Sequence, residues 1–105
     1  MREKRKHLRV PISHPVLCEP SSGEPFAAVM TDLGLGGARL EGAHTPNFSA
    51  KLFISLRLPG ATELSRLPAT VRWTRLGSFG VEFGLLGARD TKAIVELMAE
   101  ALRRD

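Results

Sequence analysis

Apolar and polar residues alternate most cleanly over residues 51–58. Leu52, Ile54, Leu56 and Leu58 take one set of positions, and Lys51, Phe53, Ser55 and Arg57 the other. That period of two is the signature of a half-buried strand. Pro59-Gly60 ends it. The same logic predicts strands over residues 10–19, 26–31, 36–41, 67–76 and 79–85. Turn-forming segments separate them, namely Pro20-Ser21-Ser22-Gly23-Glu24-Pro25, a loop over 42–50, and Gly77-Ser78. In the fifth strand Val71 and Trp73 are expected on one face, with Arg72 and Thr74 on the other. Pro11 and Pro15 in the first strand call for an edge or irregular pairing, because proline donates no ladder hydrogen bond. After Gly87 the period changes. Ile94, Leu97, Met98, Ala101 and Leu102 recur at helical spacing and form one apolar stripe, with Asp90 as N-cap and Arg103-Arg104 at the negative end of the dipole. Six short strands followed by one helix predict an all-β antiparallel barrel or sandwich, with the helix packed against it.

Composition narrows the function classes. A chain of 105 residues, 43% apolar and 25% charged, suits one domain with one modest core. No run is long and apolar enough to span a membrane, and the first nine residues lack the apolar stretch of a signal peptide. The single cysteine, Cys18, permits no internal disulfide and reads as a small buried thiol, so a reducing cytoplasm is the expected location. His7, His14 and His44 lack metal-ligand spacing. Ser13-His14 are adjacent, but adjacency makes no triad. There is no tyrosine, and no pair of acids is arranged for acid–base work. The chain is expected not to be an enzyme, and to need neither metal nor cofactor.

Charge is distributed unevenly. Residues 1–9 hold Arg2, Lys4, Arg5, Lys6 and Arg9 against Glu3, so the whole net charge of +4 lies there and residues 10–105 balance to zero. This divides the chain into a basic arm, 1–9, and a body, 10–105. Such an arm attracts nucleic acid, an anionic surface or a phosphate ligand, or it serves only solubility. Nucleic acid is disfavoured, because the body adds no basic stripe. The aromatic residues are also few, five phenylalanines and one tryptophan, and most occupy strand positions that suit a core.

Two short motifs carry the chemistry. Arg5-Lys6-His7-Leu8-Arg9 offers two guanidinium forks, and Asp32-Leu33-Gly34-Leu35-Gly36-Gly37 offers a carboxylate beside a glycine-rich backbone. The glycines are neither a dinucleotide fingerprint nor a P-loop, since they are flanked by strands and have no phosphate-binding lysine. Two readings remain. In one, the segment is a strand connection where glycine permits positive φ and Asp32 bonds a nearby amide. In the other, the bare backbone lets a planar ligand approach.

The pair of motifs resembles R-x-x-x-R and D-x-S-x-x-G of PilZ domains, bacterial receptors for cyclic di-GMP. Residues 3–10, 32–40, 71–73 and 80–83 resemble the family's opening arm, second motif and last two strands. The resemblance implies a six-stranded antiparallel PilZ-type barrel with a C-terminal helix. It implies a cyclic di-GMP site built from Arg5, Arg9, Asp32, Gly34 and Gly37, with Lys4, Lys6 and Arg39 as secondary contributors. An arginine fork matches guanine O6 and N7, and a carboxylate matches the N1–H and exocyclic amine. Arginine also binds the phosphates. Ligand would order the arm, and that change would be read by a separate partner protein, in the motility or biofilm signalling typical of the family. Gly34 departs from the pattern. It replaces a serine whose hydroxyl contributes one ligand hydrogen bond, worth about 0.5–1.5 kcal/mol. The other reading is therefore a PilZ-like interaction adaptor that does not bind the nucleotide.

Overall fold

The computed structural model describes residues 8–58 and 60–103. Six strands are formed: β1 (Arg9–Pro20), β2 (Phe26–Gly34), β3 (Gly37–Glu41), β4 (Lys51–Arg57), β5 (Leu64–Arg75) and β6 (Ser78–Phe83). One helix, α1 (Ala88–Arg103), follows. All neighbouring strands are antiparallel, and they close into a barrel in the order β1-β2-β3-β6-β5-β4. Closure gives every strand a partner on both sides, although β1 meets β4 only over Leu17–Pro20.

The alternation seen in the sequence sorts the interior. Val10, Val16 and Cys18 of β1 point into the barrel, as do Ala28, Met30 and Leu33 of β2 and Leu40 of β3. Leu52, Ile54, Leu56, Leu67, Val71, Phe79 and Val81 complete it. Ile94, Leu97 and Met98 of α1 belong to the same core, and α1 packs on β1 and β2. Leu102, placed on the apolar stripe by its spacing, is exposed, whereas Ala93 is buried.

Several local expectations are corrected. Asp32, Leu33 and Gly34 are strand rather than connection, so the second motif straddles the end of β2, a two-residue turn and the start of β3. The helix begins at Ala88, two residues before Asp90. The Gly87 carbonyl accepts the first helical hydrogen bond from Thr91 N–H (3.0 Å), so Gly87 is the N-cap and Asp90 sits in the first turn. By contrast, the irregular pairing expected of the prolines is present. Pro11 and Pro15 are tolerated because β1 pairs with β4 only over Leu17–Pro20, leaving them with a neighbour on one side alone. The β1–β2 ladder also shifts register between Pro11 and His14.

Trp73 is the largest departure. A bulge between Val71 and Trp73 shifts the register against β6, so Val71 remains inside while Trp73 turns outward opposite Gly80. Phe48 and Phe53 are exposed as well, so the aromatics are less a core set than the sequence suggests. His14 donates from Nε2 to the Arg57 carbonyl (3.0 Å), tying β1 to the end of β4.

Burial pushes the Cys18 thiol up to about 12. The protonated thiol belongs to the folded state. Its stabilising contribution is full below the ordinary thiol range and is lost as pH rises toward about 12. A thiol reagent at pH 8 is expected to modify Cys18 only as fast as the protein unfolds. Rapid modification of the native protein would contradict this placement.

Candidate functional site

The β1–β2 ladder assembles the site's first half. Arg9 stands opposite Gly34, and Val10 opposite Leu33, with both apolar side chains buried. That register turns Arg9 outward at the strand's beginning, diagonal to Asp32. Arg9 Nε lies 3.4 Å from Asp32 Oδ1, a long ionic hydrogen bond between two side chains that are 28% and 33% exposed. Among the described residues, Asp32 is bonded by this arginine rather than by a backbone amide. Gly34 has no left-handed φ, since the positive-φ glycines are Gly23, Gly60 and Gly77. Positive φ is therefore not the reason for glycine in the motif.

Space is the reason. A Cβ on Gly34 would stand 2.7 Å from Arg9 Cδ and 2.8 Å from the Leu8 carbonyl oxygen. A Cβ on Gly37 would overlap the carbonyl oxygen of Val81. Gly37 opens β3 opposite Glu82, and Phe83 N–H donates to the Gly36 carbonyl (2.9 Å). Gly37 therefore lets β3 pack against β6 at the mouth of the barrel.

Arg39 is the β3 partner of Asp32 in the ladder, but its guanidinium pairs with Glu41 (3.2 Å). Arg5, Lys4 and Lys6 lie outside the described residues. Of the sequence-predicted set, Arg9, Asp32, Gly34, Gly37 and Arg39 therefore share one end of the β1–β2–β3 surface.

A groove of about 270 Å³ continues from there, lined by Arg9, Gly36, Gly37 and, across β5 and β6, Arg72, Trp73 and Glu82. Arg9 belongs both to the ion pair and to the groove. Trp73 is 40% exposed, and its indole lies so flat on Gly80 that a Cβ there would overlap Nε1. Arg72 Nε pairs with Glu82 Oε1 at 2.7 Å. The groove thus offers an aromatic face, two guanidinium groups and a carboxylate. Arg72, Trp73 and Glu82 escaped the sequence reading, because strict alternation puts Trp73 inside. The available signal was a tryptophan with a glycine on the next strand, which gives a large ring a flat place to lie. Among the described residues, no group of three or more His, Cys, Asp or Glu is placed to hold a metal ion. No helix among them is long and apolar enough to cross a membrane.

A family model described as the PilZ domain matches residues 3–100. The chain belongs to the PilZ domain family. Solved PilZ domains share its fold at low identity. The PilZ domain of CeSA from a cellulose-synthesizing bacterium has a TM-score of 0.73 at 20% identity, covering 89% of this chain and 96% of that one. The PilZ domain of YcgR from Escherichia coli, solved with c-di-GMP, has a TM-score of 0.78 at 13% identity, covering 97% and 94%. The Bacillus subtilis inhibitor of motility, MotI/DgrA, has a TM-score of 0.70 at 21% identity, and there the match covers 98% of this chain and 52% of that protein. No curated protein sequence matches the chain. The six-stranded closed barrel with a C-terminal helix is thus a PilZ fold.

Gly37→Ala is expected to destabilise the protein by roughly 1–3 kcal/mol, because the methyl group meets backbone on β6 that cannot swing aside. Chemical denaturation measures this, and an unchanged midpoint would contradict the packing described.

Proposed function

We propose that this PilZ protein is a receptor for cyclic di-GMP that signals to a separate partner protein. The observation carrying this reading is that Arg9 borders both Asp32 and the Trp73 groove, so one guanidinium stands between a carboxylate and an aromatic face. A guanine needs a fork for O6 and N7, a carboxylate for N1–H and the exocyclic amine, and a flat surface to stack on. Arg9, Asp32 and Trp73 supply these. Arg5 supplies the second guanidinium, for a phosphate or the other base. Gly34 and Gly37 present bare backbone, while Lys4 and Lys6 add attraction without geometric selectivity. Arg39 contributes only by leaving Glu41. The YcgR domain solved with c-di-GMP and the Borreliella burgdorferi PlzA protein solved in complex with it support the ligand class.

On binding, the arm folds over the ligand against Asp32 and the turn at Leu35-Gly36, and the new surface is what a partner protein reads. The reaction at the site is recognition, without bond making or breaking. A role in the cytoplasm, in motility or biofilm control, follows from the same reading.

Calorimetric titration tests it. Cyclic di-GMP is expected to bind and cyclic di-AMP not. Arg5→Ala, Arg9→Ala and Asp32→Ala are each expected to weaken binding roughly ten- to a hundredfold, the worth of a hydrogen bond to a charged group. Trp73, the one tryptophan in the chain, is expected to change fluorescence on titration. Binding unchanged in both arginine variants contradicts the mechanism. No binding by the wild type favours the interaction adaptor instead.

A further inference from the structure

Gly34 closes β2 with an ordinary φ, so any residue can adopt its backbone conformation. Only space excludes a side chain there. The obstructing atoms, Arg9 Cδ at 2.7 Å and the Leu8 carbonyl oxygen at 2.8 Å, both belong to the segment that enters β1. The first is a flexible stem that can swing away. The second is backbone, so a side chain at position 34 moves residues 8 and 9 themselves. With glycine in place, the Arg9 stem lies low across the strand end, and from there its Nε reaches Asp32.

We propose that Gly34 is a positioning residue whose bare backbone seats Arg9 against Asp32, so that the ligand-free site is closed by an internal ion pair which an anionic guanine dinucleotide must open. This regulation rests on the receptor reading above. The pair uses the same groups that the ligand needs. A guanidinium N–H is spent on a carboxylate, and a carboxylate oxygen is spent on an arginine. Ligand binds only the open form, so its affinity falls by one plus the ratio of closed to open. Both side chains are about a third exposed, and the bond is long at 3.4 Å. A pair of that exposure corresponds to roughly a two- to fivefold reduction.

Any side chain at position 34 opens the pair, and alanine and serine do so alike. Recovery of a ligand hydrogen bond through a hydroxyl group predicts otherwise, with a gain for serine and none for alanine.

Wild type, Gly34→Ala and Gly34→Ser are compared by two readouts. In ligand-free protein, NMR is expected to show slower hydrogen exchange at Arg9 Nε–H than at the exposed Arg103 in the wild type, and equal exchange in both variants. In calorimetry, both variants are expected to bind cyclic di-GMP roughly two- to fivefold tighter. Asp32→Asn, which keeps the shape and removes the charge, is expected to release Arg9 Nε–H as well, and covers the case of a position-34 variant that does not fold. An unprotected Arg9 Nε–H in the wild type overturns the proposal. So does exchange that no variant alters, or a gain in affinity with serine that alanine lacks. Protection in the wild type with no binding by any of the proteins overturns the receptor reading and leaves the closed pair standing.

Discussion

Everything at the mouth of the barrel depends on the register of the β1–β2 ladder. Val10 and Leu33 face each other inside, which puts Arg9 and Gly34 opposite each other at the rim. A slip of one residue would drive Arg9 into the core and expose both apolar partners, so the hydrophobic interior enforces the outward arginine. Beyond Pro11 the ladder shifts register before His14, whose ring bonds the Arg57 carbonyl and ties β1 to β4. Core packing thereby delivers a charged group to a fixed place beside a carboxylate.

The strength of the Arg9–Asp32 contact suits an exchangeable partner. A long, partly exposed ion pair contributes about 0.2–1 kcal/mol, whereas a well-aligned hydrogen bond to a charged group contributes about 1.5–3 kcal/mol. In the proposed receptor, a ligand offering phosphate oxygens and a guanine edge outcompetes the internal pair. On the same reading Trp73 adds a face on which a base gains about 1–3 kcal/mol by stacking. The indole lies over Gly80, and Arg72 and Glu82 line the same groove. Gly34, Gly37 and Gly80 serve one purpose in three ways, since each removes a Cβ that would block an arginine stem, a strand or a ring.

The barrel was legible because its strands follow simple rules. Residues 51–58 alternate without interruption, and the helical stripe at Ile94, Leu97 and Met98 changes period abruptly. The motif residues were legible through family resemblance, and Arg9, Asp32, Gly34 and Gly37 do share one surface. Other features depended on pairing between distant strands. The bulge that turns Trp73 outward exists only against β6, and no local pattern announces it. The Arg9–Asp32 contact likewise exists only across the ladder. Gly34 carries two meanings: compared with a motif it is a missing hydroxyl, and in the fold it leaves the space beside the Arg9 stem.

The separation of Arg9 and Asp32 in a crystal structure of the cyclic di-GMP complex tests the central claim most directly. The account predicts that Arg9 Nε leaves its 3.4 Å contact with Asp32, that both groups turn to the ligand, and that a base lies on Trp73. A bound nucleotide with the Arg9–Asp32 pair intact would contradict it.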